Sequence, residues 1–130
     1  MKVLGALIRL TLLAQLLTCT TQATRLPAPC PAQDVVYSAA DTLRGVVPPK
    51  ARRTSIPRFS TLRAGSTEAI VVIEPNGHAT IETMRSTGDH GPSQRLDVEA
   101  AINSWSYVPA TRNGCAVRFR ETITITATPK

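Results

Sequence analysis

The stretch that most constrains this chain runs from Leu96 to Ala110, a short amphipathic helix leading into the aromatic exit Trp105-Ser106-Tyr107-Val108-Pro109. Val98, Ala101, Ile102 and Trp105 fall at i, i+3, i+4 and i+7, a single apolar stripe. Such a stripe must be buried against another element, and the flanking segments supply one. Thr67–Glu74 is rich in Ile and Val and reads as a strand. Asn76-Gly77 suits a type I′ turn, whose two central residues both need positive φ. His78–Arg85 reads as the returning strand, with Ala79, Ile81 and Thr83 on one face. Ser86-Thr87-Gly88 breaks that run, Gly91-Pro92 opens the helix with Ser93 as its expected N-cap, and Asp97 and Glu99 complement its N-terminal half.

Beyond the helix, Arg112-Asn113-Gly114 supplies a further turn. Val117, Phe119, Ile123 and Ile125 then alternate with Arg118, Arg120, Thr122, Thr124 and Thr126, as in a strand with one buried and one wet face. Glu121 falls on the apolar face, which requires either a bulge or an opening to solvent. The expected fold is α+β: a small three-stranded antiparallel sheet packed against one main helix. Leu96, Ala101, Ile102, Trp105, Tyr107 and Pro109 are its expected core anchors, the indole of Trp105 foremost.

The 130 residues support one domain with accessory segments. Residues 1–23 read as a secretory signal. Lys2 and Arg9 give a positive start, Leu10 to Thr18 an apolar run, and Thr21-Gln22-Ala23 a small-residue end. An uncleaved anchor is the alternative, but a membrane span needs about 20 apolar residues and Arg9 interrupts this run. Leu16-Leu17-Thr18-Cys19 also resembles a bacterial lipoprotein box, which makes Cys19 a candidate lipidation site. Cleavage after Ala23 lowers the formal charge of +6 by two cations and leaves Cys30 and Cys115 as an even pair. In an oxidising compartment a disulfide is then the default.

Residues 24–65 read as an extended arm, a short helix within Asp34–Val47 that ends at Pro48-Pro49, and a basic connector. Residues 66–130 read as the folded domain. No acidic residue lies between Asp41 and Glu68, whereas Arg44, Lys50, Arg52, Arg53, Arg58 and Arg63 do. That run suits anionic headgroups or another polyanion; the plainer reading is a solvated linker. Nucleic acid is disfavoured, since only Phe59 is interleaved with these charges. His78 and His90 read as exposed turn residues, with neither metal-ligand spacing nor a partner for acid–base work. No nucleophile elbow or glycine-rich phosphate loop is present. The sequence therefore points to no enzyme, cofactor or metal.

The order of these pieces resembles the C-terminal domain of TonB-type energy transducers over roughly Arg58 to Thr126. The matching motifs are the aliphatic strand ending in Pro75-Asn76-Gly77, the break Ser86-Thr87-Gly88, Leu96-Asp97 with Ala100-Ala101, the exit Trp105, Tyr107, Pro109 and Ala110, and an alternating strand after Gly114. A transducer's membrane helix and long Pro-rich spacer have no counterpart here. The resemblance therefore implies a stand-alone exported domain of a Gram-negative periplasm, whose partner is an envelope protein such as an outer-membrane receptor. It further implies capture of an extended peptide by strand addition at the sheet edge, placed at Val117, Arg118, Phe119, Arg120, Thr122, Ile123, Thr124 and Ile125. Alternatives from other classes are a lipid-tethered structural protein and a small secreted inhibitor.

Overall fold

A computed structural model describes residues 26–129; the expected signal segment and Cys19 lie outside the described residues. The elements follow in the order β1 (Val36–Tyr37), a 3-10 helix (Ala39–Arg44), β2 (Val46–Val47), β3 (Lys50–Arg53), β4 (Gly65–Ile73), β5 (Ala79–Gly88), α1 (Pro92–Ser104), β6 (Ser106–Val108), β7 (Ala110–Arg112) and β8 (Cys115–Ala127). Six strands form the main sheet in the order β2-β7-β8-β4-β5, with β1 also on β8, and β3 pairs with β6 as a second, two-stranded sheet. All these pairings are antiparallel except β1 with β8.

This overturns the expectation of a small three-stranded sheet. The residues read as arm, helix and connector supply β1, β2 and β3 instead. The reason is physical: strands of two to four residues are too short to display a period, so alternation cannot reveal them. Within Asp34–Val47 the helical part shrinks to the 3-10 turn. Ser38 opens it by donating its N–H and hydroxyl to Asp41 Oδ2 at 2.8 and 3.2 Å, and Gly45, at φ 87°, closes it.

One layer of core forms where α1 crosses the sheet. Ala69, Val71, Ile73 and Ala79 from the β4–β5 hairpin meet Val98, Ile102, Trp105 and Tyr107, with Ile81, Met84, Ile123 and Ile125 around them. A second cluster, Tyr37, Val46, Ala110, Val117 and Phe119, binds the short strands to the start of β8, and the Arg112 guanidinium lies 5.3 Å over the Tyr37 ring. Leu96 is a correction to the expected core. It is 65% exposed, because it precedes Val98 by two residues and so lies roughly 200° around the helix from the apolar stripe. Gln94, four residues before Val98, takes the buried place instead. Its amide oxygen accepts the Gly91 N–H at 3.0 Å and its amide nitrogen donates to the Thr61 carbonyl at 2.8 Å. The N-cap is thus Gly91, with Pro92 at the first turn, rather than Ser93.

The first hairpin also differs from its sequence reading. Asn76 keeps negative φ and only Gly77 is positive, at 85°. Pro75-Asn76-Gly77 is a three-residue loop, closed by the Glu74 N–H to the His78 carbonyl at 2.8 Å. Proline at the first loop position fixes negative φ and favours this turn over type I′. A Cβ at Gly77 would strike the Tyr107 carbonyl, and the Tyr107 N–H donates to the Gly77 carbonyl at 2.9 Å. That close approach and the positive φ both require glycine there.

Candidate functional site

The expected docking edge is β8, and the structure divides it. Along one margin β4 pairs with it from Phe119 to Ala127 without a register shift. Along the other, β7 takes Cys115 to Val117 and β1 takes Arg118 and Phe119. Val117, Arg118 and Phe119 are therefore already paired by the chain's own strands, which removes them from the free edge. From Arg120 to Ala127 no strand pairs with this second margin among the described residues. The sequence reading missed the covering because the two-residue β1 carries no strand signal of its own.

The β7–β8 hairpin sets which backbone groups point into the open margin. Asn113 and Gly114 have φ of 53° and 77°, the positive pair of a type I′ turn, and Arg112 opposes Cys115. The residues closing a two-residue hairpin exchange both hydrogen bonds, and the direction then alternates along the strand. The N–H and C=O of Glu121, Ile123 and Ile125 consequently point away from β4. Those of Arg120, Thr122 and Thr124 enter the β4 ladder.

Two depressions flank the margin. One, of about 340 Å³, adjoins Thr124, Ile125 and Trp105, with Thr54–Pro57 as its wall. The other, of about 630 Å³, adjoins Phe119–Thr122, with Ser38, Ala39, Thr42 and Pro48 opposite. The Thr54–Thr61 segment is held on α1 by side chains. Trp105 Nε1 donates to the Ser55 carbonyl at 2.9 Å, and Asp97 Oδ2 accepts the Ser60 N–H at 2.9 Å. Asp97 thus serves this contact rather than the first turn of the helix. Ala101, Ile102, Trp105 and Tyr107 are buried and Pro109 is half-buried.

Glu121 resolves the sequence alternative in favour of an opening: β8 has no bulge there, and the carboxylate lies half-buried beside the larger depression. Burial pushes its pKa up. The Tyr107 phenol is pushed up as well, by burial first and by the Glu121 charge second. On the opposite face Arg120 forms a bidentate pair with Glu82 at 2.8 and 2.9 Å, and Arg118 one with Glu74 at 2.9 and 3.2 Å. Because Arg120 opposes Val72 on β4 and Glu82 belongs to β5, the first pair reaches across the central strand. The hydrogen bonds from Arg120 hold the Glu82 carboxyl below its ordinary range.

Cys30 and Cys115 are joined by a disulfide, with their Cα atoms 5.6 Å apart. It ties the segment leading into β1 to the first residue of β8. His78 is exposed, whereas His90, read from the sequence as an exposed turn residue, is buried. Its Nδ1 lies 2.9 Å from Thr67 Oγ1 and its ring stacks obliquely on Phe59. Among the described residues no group of three His, Cys, Asp or Glu side chains is placed to hold a metal ion. No helix of the described residues is long and apolar enough to cross a membrane. No family model matches the chain, and no curated protein matches it.

Proposed function

We propose that the chain is a protein-binding module of the bacterial envelope, TonB-like in its sequence motifs, which captures an extended segment of another envelope protein by strand addition. The observation that carries this reading is the regular open margin of β8 beyond Phe119, with three outward-directed backbone positions at Glu121, Ile123 and Ile125. A guest strand there continues the line begun by β1. Its main-chain hydrogen bonds supply affinity, and the depressions on either side supply selectivity for side chains. The disulfide favours an oxidising compartment, which supports export.

Two proline variants separate capture from folding. Glu121→Pro removes an N–H that points into the open margin, so the fold survives and capture from envelope extract is lost. Thr122→Pro removes an N–H that enters the β4 ladder, so the sheet itself is disrupted. Far-UV circular dichroism and pull-down from outer-membrane and periplasmic extract read both. Undiminished capture by a folded Glu121→Pro protein rejects the reading.

A further inference from the structure

The cations of β3 line neither depression beside the open margin of β8, yet the structure gives them a definite arrangement. β3 carries Lys50, Arg52 and Arg53, and all four of its residues are exposed. It pairs with β6, Lys50 opposite Val108 and Ala51 opposite Tyr107. Because Tyr107 is buried, Lys50 and Val108 occupy the face turned away from the core. Val108 is 43% exposed, and Ile56, just beyond β3, is 88% exposed. Among the described residues the ion pairs involve Arg118 and Arg120, and no carboxylate pairs with Lys50, Arg52 or Arg53.

Unpaired cations interleaved with exposed aliphatic side chains match the two demands of a bilayer interface. Charge draws the protein to anionic headgroups, roughly fivefold in affinity per cation, and apolar tips enter the boundary between headgroups and acyl chains. A single-stranded nucleic acid would use the cations and stack its bases on aromatic rings, but Lys50–Pro57 contains no aromatic residue. We infer that the β3 ribbon is a docking surface for an anionic phospholipid bilayer, with Lys50, Arg52 and Arg53 on the phosphates and Val108 and Ile56 in the interfacial layer.

Co-sedimentation of the chain, in the N-terminal form the cell delivers, with phosphatidylcholine vesicles and with vesicles of equal parts phosphatidylcholine and phosphatidylglycerol tests this. The expected result is binding to the anionic vesicles alone, weakened on the order of 100-fold by K50Q/R52Q/R53Q and measurably by Ile56→Asp. All four positions are exposed, so the variants keep the parent's circular dichroism and its Cys30–Cys115 bond. An N-terminal anchor would hold parent and variants alike on both kinds of vesicle, and that outcome overturns the inference. So do anionic binding that survives the triple neutralisation, an Ile56→Asp variant that binds as the parent does, and retention on a single-stranded oligonucleotide with none on vesicles.

Discussion

β5 and β8 lie on the same sheet, and each leaves a length of backbone margin without a strand partner among the described residues, but they are protected in different ways. β5 pairs only with β4, and its register slips by one residue at Glu82, between the pairs Ile70–Thr83 and Val71–Ile81. An edge interrupted by a bulge is a poor template for another strand. β8 has no slip, and its open part is recessed between the 3-10 helix on one side and the Thr54–Pro57 wall on the other. One margin is blunted by its own backbone. The other keeps an intact ladder and restricts access to it by shape, and only that arrangement leaves hydrogen-bonding positions available to a guest.

The largest expected effect tests what both margins share. Trp105→Ala removes the ring that lies between α1 and the sheet and leaves the Ser55 carbonyl without its donor. It should cost about 3–5 kcal/mol in a urea titration, and a loss below 1 kcal/mol would mean that the two margins do not depend on one core. Next comes the disulfide. Replacing Cys30 and Cys115 by Ser should cost about 2–4 kcal/mol. It should raise amide exchange at Arg118 and Phe119, where β1 lies, while β5 keeps its protection. Equal loosening of both margins would contradict the asymmetry.

Deleting Glu82 has a smaller effect on stability but reverses the contrast. It restores simple alternation from Ile81 to Met84 and should make β5 self-associate relative to the parent, as read by sedimentation velocity. Glu82→Gln, which keeps the bulge and loses the ion pair, is the control and should behave as the parent. The smallest effect belongs to Glu121. Its folded-state pKa lies above the unfolded value, so the native state binds more protons there and stability falls as pH rises through that window. Glu121→Gln should flatten this part of the pH–stability curve and leave the protein slightly more stable at neutral pH. A curve unchanged by the substitution would place the carboxylate in open water.

The sequence made the long elements readable because they repeat a period. The stripe of Val98, Ala101, Ile102 and Trp105 is continuous over two turns, and β8 alternates for most of its length. It concealed features that depend on one or two residues. Alternation from Ala79 puts Thr83 on the inner face, yet the bulge turns Met84 inward. Gln94 is polar and so escaped a search for apolar spacing, although its amide is what pins the segment at Thr61 to the helix. His90 lies in the loop the sequence indicates but reads there as exposed, because its burial comes from Phe59 and Thr67, distant in sequence. For the candidate site, the strand was legible and its occupancy was not. The residues that cover Arg118 and Phe119 come from some 80 positions earlier in the chain.

That last pairing has a consequence for how the molecule is assembled. β8 is the strand on which β1, β4 and β7 all converge, and the cysteine that fastens the arm is its first residue. The β4–β5 hairpin can close by itself, whereas β1 and the arm that carries Cys30 find their partners only on β8. Contacts of such long sequence separation make folding slow. Docking of β8 on β4 is therefore the step that must precede attachment of β1 and fastening of the arm.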